Sequence, residues 1–346
     1  MKMNILLACE RSGGHIFPAM VFGKKLRARY GADAVIRFFI TSDFLKDYLT
    51  KEDFPVIGKS FKSRFLPFEL VYRFFESIAI LAKFRPNKVF GFGGRDSFFL
   101  ILLAPIFGAR TYIYEPNVEF GKANKVLAKV AHKILTGFEQ KNMPSKNLEV
   151  VGVPLRDNIR RLERKEALQI LGLGEGPVLL CFGGSQGSVF LNNNFLRLAL
   201  DLPKDYQIVH FTGPRDYLEI SQRYTKIKNR RFVKDFYPAM EVALSAADFA
   251  FCRSGASTVA EIAYFKVPAV FVPHPAAGGH QRANALYLSA KNAAVTFYQR
   301  DFSFDTFRAT VLKMLSDKDF SDKIKNNLIS INPGVEFEKF CHGIDL

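Results

Sequence analysis

Two glycine-rich turns, set about half a chain apart, constrain the fold of this sequence more than any other feature. In each, a short apolar run leads into a loop of small residues and then into a helix-like pattern. Residues 4–9 precede Glu10-Arg11-Ser12-Gly13-Gly14-His15, and residues 178–182 precede Gly183-Gly184-Ser185-Gln186-Gly187-Ser188. Such a turn offers free backbone N–H groups and the positive end of a helix to an anion. A chain that builds it twice is expected to contain two nucleotide-fold domains.

Strand-like and helix-like runs alternate along the rest of the chain. The strand runs are rich in Val, Ile, Phe and Leu and mostly lack polar alternation, which is typical of parallel strands buried on both faces. The predicted strands are 4–9, 35–40, 88–92, 111–114, 133–137, 178–182, 206–211, 231–234, 248–251 and 268–272. The clearest helical patterns are Val21–Arg29, Gly121–Lys133, Val189–Leu200 and Ala256–Phe265. This alternation predicts a doubly wound α/β fold.

The length of 346 residues predicts two domains. Their seam is expected at Gly152-Val153-Pro154-Leu155-Arg156, followed by a charged helix, Asp157–Leu171, and a glycine-rich turn, Gly172–Gly176. Residues 1–152 and 153–346 are the predicted domains, with the last helix able to return to the first. Ligands of doubly wound sheets bind beyond the carboxyl ends of the strands. One cleft is therefore expected to collect both glycine turns, Arg95-Asp96, Glu115–Asn117 and Arg253–Ser257.

The net charge of +16 favours anionic partners such as phosphorylated ligands or an anionic membrane surface. No zinc-finger spacing, RNP-like motif or basic helix-turn-helix is present, so nucleic acid is not an expected partner. The four cysteines form no C-x-x-C pair, which is typical of buried reduced thiols. The first residues run directly into a strand, so we expect no signal peptide. The most apolar stretch, Phe98–Phe107, is too short to span a bilayer.

Neither glycine turn matches G-x-G-x-x-G or the lysine-containing P-loop, which disfavours NAD and ATP chemistry. His15 lies where a helix is expected to begin, ahead of Pro18 in its first turn. The helix dipole would lower the pKa of His15 and keep the imidazole neutral. A neutral imidazole at a cleft can act as a general base. The alternative is that His15 caps the loop or binds a phosphate.

A third loop-to-helix turn, Cys252–Glu261, follows the strand at 249–251. Its small residues and hydroxyls suit a phosphate, and Glu261 lies one turn inside the predicted helix. A carboxylate there can accept hydrogen bonds from both hydroxyls of a ribose. The alternative is a capping Ser257 with a solvated Glu261.

The polar loop His274–Asn284 leads into a further helix. Its polar groups could bind sugar hydroxyls, or it could be an ordinary flexible loop. His274 and His280 could suggest a metal, but no nearby acidic or cysteine ligand completes a set, so no metal is expected.

The segment Phe61–Phe84 has two apolar stripes when it is drawn as a helix. One holds Phe68, Val71, Tyr72, Phe75, Ile78 and Ala82, and the other holds Leu70, Phe74, Ser77 and Leu81. We expect the first stripe to pack on the sheet and the second, edged by Lys62, Arg64, Arg73 and Lys83, to bind an anionic membrane surface. The alternative is a helix buried on both sides or at a dimer contact.

With these motifs in order, the sequence resembles the MurG-type peptidoglycan glycosyltransferases from Asn4 to about Phe297. The most specific matches are Ser12-Gly13-Gly14-His15-x-Phe17-Pro18, Gly152-Val153-Pro154-Leu155-Arg156, Gly183-Gly184-Ser185-Gln186-Gly187, Cys252-Arg253-Ser254-Gly255-Ala256, Thr258-Val259-Ala260-Glu261-Ile262 and Gln281-x-x-Asn284-Ala285. The resemblance implies a GT-B fold of two Rossmann-like domains and inverting transfer of N-acetylglucosamine from UDP-N-acetylglucosamine to the muramoyl unit of lipid I, giving lipid II. It implies no cofactor, no metal and a peripheral location on the cytoplasmic face of the bacterial inner membrane.

The resemblance also implies roles for individual residues. Those implied in donor binding are Ser12, Gly13, Gly14, Asn117, Arg156, Ser185, Gln186, Tyr237, Ala256, Ser257, Thr258, Glu261, Gln281 and Asn284. Those implied in acceptor binding are Gly13, Gly14, His15, Arg95 and Glu115. His15 is the implied catalytic base or acceptor-phosphate ligand, and Glu261 the implied ribose ligand.

The sequence departs from the family pattern mainly on the acceptor side. Glu10-Arg11 replaces two glycines, Arg95-Asp96 follows the glycine pair where a tyrosine is usual, and Tyr114-Glu115-Pro116-Asn117 replaces His-Glu-Gln-Asn. Three alternatives therefore stay open: the same fold acting on another lipid acceptor such as diacylglycerol, a UDP-sugar 2-epimerase, and a UDP-sugar-binding scaffold without catalysis. The segment Phe61–Phe84 argues against the epimerase, and His15 with Glu261 argues against the scaffold.

Overall fold

The computed structural model describes residues 3–9, 13–42, 46, 49–61, 66–140, 147–156, 159–276 and 279–331, with the backbone alone at 13–15 and 66. The chain divides into two units between Arg156 and Asp157, just after the predicted seam. Gly152 remains with the first unit, because its N–H donates to Thr136 O and its carbonyl accepts from the Tyr114 hydroxyl. Of the stretch expected to return to the first domain, residues 301–331 belong to the second unit, and the rest lies outside the described residues.

The first unit is built on a seven-stranded parallel sheet of order β3-β2-β1-β4-β5-β6-β7. Its strands are β1 Met3–Ala8, β2 Ala34–Phe39, β3 Val56–Ile57, β4 Lys88–Gly91, β5 Arg110–Glu115, β6 Lys133–Thr136 and β7 Leu148–Val150. Its described helices are α1 Gly13–Tyr30, α2 Leu66–Phe84, α3 Phe98–Leu103 and α4 Lys122–Leu127.

The second unit is built on a six-stranded parallel sheet of order β10-β9-β8-β11-β12-β13. Its strands are β8 Val178–Phe182, β9 Gln207–Phe211, β10 Arg231–Lys234, β11 Phe249–Cys252, β12 Ala269–Phe271 and β13 Val295–Thr296. Its helices are α5 Arg164–Ile170, α6 Val189–Leu200, α7 Tyr217–Tyr224, α8 Met240–Ala246, α9 Ala256–Phe265, α10 His280–Ala290, α11 Phe304–Ser316 and α12 Lys318–Ile329.

The strands are apolar because both faces of each sheet are covered. In β1, Ile5 and Leu7 join a core cluster with Phe22 of α1 on one face. The next residues, Leu6 and Ala8, join a separate cluster on the other face. Successive side chains of a strand point to opposite faces, so both sets must be apolar. The predicted α/β, doubly wound class is therefore confirmed.

The strand order reverses between β1 and β4 in the first sheet and between β8 and β11 in the second. Such a reversal opens a crevice at the carboxyl ends of the two strands, because the loops that follow them diverge. The first glycine turn follows β1, and the second follows β8. Each glycine turn predicted from the sequence thus lies at the switch point of its own sheet.

Some element boundaries differ from those predicted. Helix α1 begins at Gly13, well before Val21, which places Pro18 inside the helix beyond its first turn. Helix α4 ends at Leu127, and the chain then turns before β6 begins at Lys133. The predicted helix 157–171 is helical only at Arg164–Ile170 among its described residues.

The prediction for the two stripes of α2 is wrong. Phe68, Val71 and Phe75, which we call the outer stripe, are 65%, 54% and 62% exposed, respectively. Leu81 and Ser77 are buried, and Phe74 packs edge-to-face on Phe99 of α3 with ring centroids 5.6 Å apart. The helix therefore turns the face expected to be buried towards solvent.

The buried stripe of α2 is unusually polar, and local partners explain how it is tolerated. Arg73 is 1% exposed, so it is not part of a basic rim as predicted. Its guanidinium donates to the carbonyls of Lys59 and Phe61 and pairs with Glu76. Buried polar groups are acceptable when they are hydrogen-bonded in this way. Of the other predicted rim residues, Lys83 is exposed, and Lys62 and Arg64 lie outside the described residues.

Candidate active site

The glycine turn of the second unit is shaped by close backbone approach. Gly187 has φ +69°, and a Cβ there would lie 1.9 Å from the carbonyl oxygen of Thr212. Gly184 has φ +87° with open space around it, and the neighbouring Ser185 and Gln186 are exposed. The turn therefore presents backbone and two polar side chains at the carboxyl end of β8, in front of α6. This is the geometry that binds phosphate through amides and a helix N-terminus.

A buried hydrogen-bond network supports that turn from behind. The Asn192 amide Nδ2 donates to Thr212 O at 2.9 Å and to Asp216 Oδ2 at 2.8 Å. Its Oδ1 must then accept from His210 Nε2 at 3.0 Å, which leaves His210 Nδ1 to accept from the Tyr224 hydroxyl at 2.8 Å. Burial lowers the pKa of His210 to about 3, so the ring is neutral at physiological pH.

The third predicted turn leads into α9, which begins at Ala256 with Gly255 as its N-cap. Gly255 has no side chain to cap the helix, so the first amides are not occupied by a capping group. Ser257 and Thr258 lie half-buried in the first turn, and Glu261 is 8% exposed. The alternative of a capping Ser257 with a solvated Glu261 is therefore wrong.

Arg253 joins four loops at this edge of the sheet and was not given a role from the sequence. Its guanidinium donates to Ser188 Oγ at 2.7 Å, Gln299 Oε1 at 2.8 Å and the carbonyls of Val272 and Pro273. None of these partners is a carboxylate, and burial lowers the pKa of Arg253 to about 10, which still leaves it charged. The loop after β8, which Ser188 ends, is thus tied to those after β11, β12 and β13.

Hydrogen bonds hold the predicted sugar-binding loop at the same edge of the second sheet. Gln281 Oε1 accepts from the His274 N–H at 2.9 Å, and the Gln281 carbonyl accepts from Ser254 Oγ at 2.7 Å. Asn284 is fully buried and donates to Ser254 O at 3.0 Å, so it supports the turn before α9. Burial, and then the charge of Arg253, lower the pKa of His274, which favours the neutral ring.

The predicted nucleotide contacts lie at two places in the chain. Tyr237 follows β10 and stacks on Phe211 at 5.4 Å, with Phe232 edge-on at 5.1 Å. Burial, followed by the charge of Glu241, raises the pKa of Tyr237, so its hydroxyl stays protonated. Arg156 is half-buried at the end of the first unit.

In the first unit, Gly13, Gly14 and His15 form the first turn of α1 at the switch point. Ser12, Glu10 and Arg11 lie outside the described residues, and so does the side chain of His15. The backbone position fits the prediction of an imidazole at a helix N-terminus. The role of His15 as base or phosphate ligand stays a prediction.

Arg95 and Asp96 follow β4, next to this turn in the sheet. Arg95 Nη2 lies 3.2 Å from Glu69 Oε2 of α2, and Arg95 Nε lies 4.0 Å from Asp96 Oδ1. Asp96 is buried and accepts a hydrogen bond from Thr41, which follows β2. One guanidinium thus faces two carboxylates, which weakens its attraction for a substrate phosphate.

Glu115 is the last residue of β5, one strand further along, and Asn117 lies just after that strand. Glu115 is 2% exposed, and Asn117 is half-buried. The Glu115 carboxylate accepts from Asn117, so these two predicted ligands contact each other.

Taken by itself, the second unit can bind a nucleoside diphosphate. It offers a glycine turn and an uncapped helix start for phosphates, a buried carboxylate on the same helix, and a polar loop for a sugar. Among the described residues, no group of three or more His, Cys, Asp or Glu side chains is arranged to hold a metal ion.

A parallel α/β sheet with a glycine turn at its switch point, built twice in one chain, is the GT-B architecture of nucleotide-sugar glycosyltransferases. The chain matches the Glycosyltransferase family 28 N-terminal domain over residues 5–136 and the Glycosyltransferase family 28 C-terminal domain over residues 178–334. It belongs to glycosyltransferase family 28.

Similar proteins span nearly the whole chain. The UDP-N-acetylglucosamine–N-acetylmuramyl-(pentapeptide) pyrophosphoryl-undecaprenol N-acetylglucosamine transferase of Carboxydothermus hydrogenoformans is 32% identical over 346 residues, which cover 94% of this chain and 92% of that protein. The protein of the same name from Elusimicrobium minutum is 32% identical over 315 residues, or 86% of each chain. The crystal structure of Acinetobacter baumannii MurG superimposes with a TM-score of 0.83 at 23% identity, over 99% of this chain and 100% of that one.

Proposed function

We propose that this protein transfers N-acetylglucosamine from UDP-N-acetylglucosamine to the muramoyl unit of lipid I, giving lipid II. The observation that carries the proposal is the 32% identity, over 94% of the chain, to a transferase named for this reaction. The second unit supports it, because the turn at Gly183–Ser188 and the start of α9, the helix that carries Glu261, follow the carboxyl ends of β8 and β11.

The proposed reaction is a direct displacement at C1 of the donor sugar. The acceptor hydroxyl forms the new bond to C1, the bond from C1 to the diphosphate oxygen breaks, and UDP leaves with inversion. The proton of the hydroxyl passes to a base, for which His15 in the first turn of α1 is our candidate. Amides of the turn at 183–188 and of the α9 start stabilise the charge on the leaving diphosphate.

The buried charge of Arg253 supports the same step. Its guanidinium holds Ser188, the N-cap of α6, and keeps a positive charge among the loops that face the diphosphate. Electrostatic stabilisation is strong in such a partly dehydrated setting, because water does not screen it fully.

We further propose that the outer stripe of α2 lies on an anionic membrane surface, where a lipid-linked acceptor would be found. Ile106, in the short turn Ala104–Phe107 that packs beside α2, is also 78% exposed. Large exposed apolar side chains grouped in this way are typical of an interaction surface. Within the part of the chain that the structure describes, no helix is long and apolar enough to cross a bilayer.

A second candidate is the same transfer to another lipid acceptor, such as a diacylglycerol. The observation that favours it is the ion-paired cluster of Glu69, Arg95 and Asp96 on the acceptor side, where the family usually has a tyrosine. The donor side would be unchanged.

One assay separates these functions. The protein is incubated with UDP-N-acetylglucosamine, labelled in the sugar, together with lipid I, with diacylglycerol or with neither lipid. Label in lipid II supports the proposal, and label in a glycolipid supports the second candidate. Epimerised UDP-sugar without either lipid would contradict both, and so would binding of the donor with no product.

A further inference from the structure

A cavity of about 460 Å³ lies at the end of the second sheet opposite to the glycine turn. Two of its lining residues, Pro177 and Asp248, come just before β8 and β11, so it lies at the amino ends of these strands. A strand rises about 3.3 Å per residue, so the five residues of β8 place the cavity roughly 15 Å from the turn at 183–188. Its volume is within the range of about 300–1,000 Å³ that is usual for small-molecule sites. The cavity is therefore separate from the proposed donor site.

An ion pair forms one side of this cavity. Arg164 Nη1 donates to Asp248 Oδ1 at 3.1 Å, and Arg164 Nη2 donates to Asp248 Oδ2 at 2.8 Å. The guanidinium also donates to the carbonyls of Ala246 and Gly176, and Asp248 Oδ2 accepts from the Val178 N–H. The two charges neutralise each other, and most of their hydrogen-bonding groups are occupied. The choice of a ligand therefore falls to the other side of the cavity.

The other side is one face of α12. Lys318, Ser321, Asp322 and Lys325 line the cavity, and their spacing puts them on one side of the helix. Lys325 Nζ lies 3.6 Å from Asp322 Oδ1. Lys318 is exposed and makes no ion pair within the part of the chain that the structure describes. Two ammonium groups against one carboxylate leave this face with a net positive charge.

Ser321 provides an observation that is independent of charge. It is 8% exposed, and its hydroxyl makes no hydrogen bond to any of the described residues. A helical serine commonly bonds the carbonyl four residues earlier, as the Ser316 hydroxyl does with Leu312 O at 2.9 Å. Buried hydroxyls rarely lack a partner. Because Ser321 lines the cavity, a ligand held there would supply that partner.

We infer that this cavity is a second ligand site, which binds the phosphate group of a small phosphorylated molecule through Lys318, Ser321 and Lys325. A doubly ionised phosphate has only acceptor oxygens, and the two ammonium groups and the hydroxyl can all donate to it. Met314 and Leu315 of α11 line the same cavity and offer apolar contact to the rest of the molecule. The site needs neither the sugar donor nor a lipid acceptor, so it goes beyond the proposed function.

Titration with glycerol phosphate, followed by the width of its phosphorus resonance, tests this site while saturating UDP occupies the donor site. The wild type should bind saturably with a Kd of about 1 mM, because a phosphate that stays partly hydrated binds weakly. Lys318→Gln and Ser321→Ala should each weaken binding, by about tenfold for the lysine, because a charge-assisted hydrogen bond is lost. Asp322→Asn should tighten binding by roughly threefold, because it neutralises the carboxylate of this face. Such a gain in affinity cannot come from damage to the fold.

Lys323→Gln is the matched control, because it removes the same charge from an exposed position of α12 that does not line the cavity. It should bind glycerol phosphate like the wild type. Calorimetry should give every variant the UDP affinity of the wild type, because all four positions lie on α12, away from the proposed donor site.

Inorganic phosphate, used in place of glycerol phosphate, identifies the ligand further. Weaker binding of inorganic phosphate would assign part of the affinity to Met314 and Leu315, and equal or tighter binding would make phosphate itself the ligand. Absence of saturable binding, loss of binding when UDP is added, or equal weakening by Lys318→Gln and Lys323→Gln would overturn the inference. A wild type without transferase activity would overturn only the proposed function, because this titration needs no turnover.

Discussion

Glu261 is a carboxylate buried near the start of a helix. Carboxylates are rarely buried unless they are paired or bind a ligand. Glu261 is the sixth residue of α9 and is 8% exposed. The sequence already indicated this residue, because Gly255 marks the helix start and the spacing follows from it. What the sequence left open was whether the carboxylate is solvated, since burial depends on neighbours far along the chain.

We predict that Glu261→Ala weakens UDP binding by roughly tenfold to a hundredfold. Loss of charge-assisted hydrogen bonds to two ribose hydroxyls costs about 1.5–3 kcal/mol, which corresponds to that factor. Calorimetric titration with UDP measures it. Glu219→Ala, at an exposed carboxylate of α7, is the matched control and should bind UDP normally. Unchanged affinity in a folded Glu261→Ala protein would remove Glu261 from the ribose site.

His15 was predicted from the sequence as the base or an acceptor-phosphate ligand, and its backbone lies in the first turn of α1. We predict that His15→Ala lowers kcat by about 10²–10⁴ while UDP-sugar affinity stays nearly intact, because general base catalysis acts only on the reacting proton. Steady-state kinetics with both substrates varied gives the answer. A variant with normal kcat and a raised KM for the acceptor alone would make His15 a phosphate ligand.

Arg253 is a site residue whose importance cannot be predicted from sequence patterns. Its partners Ser188 and Gln299 lie 65 and 46 residues away along the chain. Local spacing predicts helix starts and turns, but contacts at this separation depend on the order of the strands in the sheet. The same reason applies to Glu115, because Asn117, Gly121 and Asn124, which donate to its carboxylate, are brought to it only by the folded loop.

At the scale of elements, length and flanking residues decide what the sequence can predict. Helices α6 and α9 and strand β8 have the predicted boundaries, because glycine or serine marks each helix start and apolar runs fill each strand. Strands β3 and β13 have two residues each, too few for any periodicity, and neither was predicted.

Helix α2 exposes the limit of periodicity. Two stripes of similar apolarity fit one helix, and the pattern alone does not say which one faces the protein. Ser77 and Arg73 are both buried, although the sequence placed Ser77 in the stripe expected to bind a membrane and Arg73 on the basic rim of that stripe. The carbonyls of Lys59 and Phe61, which accept from Arg73, come from a segment with no pattern of its own.

We predict that Phe68→Ser combined with Phe75→Ser reduces binding to anionic vesicles by about tenfold or more and leaves UDP affinity unchanged. Full burial of a large apolar side chain is worth about 1.5–3 kcal/mol. Each of the two substitutions would remove part of that free energy from vesicle binding. Sedimentation with vesicles at low and high salt measures the effect. Leu218→Ser, at a side chain 75% exposed in the second unit, should bind like the wild type.

The buried stripe provides the opposite control. Leu81→Ser removes a side chain that is fully buried in the core of the first unit, so it should lower Tm. Its folded fraction should still sediment with vesicles. Normal vesicle binding by the Phe68 and Phe75 double variant, with a normal Tm, would contradict a membrane role for the outer stripe.

At the scale of the whole molecule, the fold class and the switch points followed from the sequence, because buried parallel strands have a distinct composition. The buried polar residues that support the turns could not be predicted from the sequence. They are single residues, such as Asn192 and Arg253, inside otherwise ordinary helices and loops. The role of a buried polar residue depends on its partners in the folded structure, so the pattern of residue types along the chain does not reveal that role.

The His210 network makes the stability of the protein depend on pH in a predictable direction. The pKa of His210 is about 3 in the folded protein, against 6.5 for an ordinary histidine, because burial penalises the charged ring. Below pH 6.5 the unfolded chain therefore binds a proton that the folded protein does not. The stabilising effect is complete above pH 6.5 and is lost progressively as the pH falls towards 3. Burial raises the pKa of the Cys181 and Cys252 thiols, so these groups stay neutral throughout this range.

We predict that His210 alone lowers the free energy of unfolding by about 2 kcal/mol between pH 7 and pH 5, since each pH unit below 6.5 costs about 1.4 kcal/mol. His210→Gln keeps one donor and one acceptor but does not titrate. It should be less stable than the wild type at pH 7, and its loss between pH 7 and pH 5 should be smaller by about 2 kcal/mol. Urea unfolding followed by circular dichroism at both pH values measures the difference, and carboxylates elsewhere cancel in the comparison. Equal pH dependence of the two proteins would mean that burial does not keep the His210 ring neutral in the folded protein.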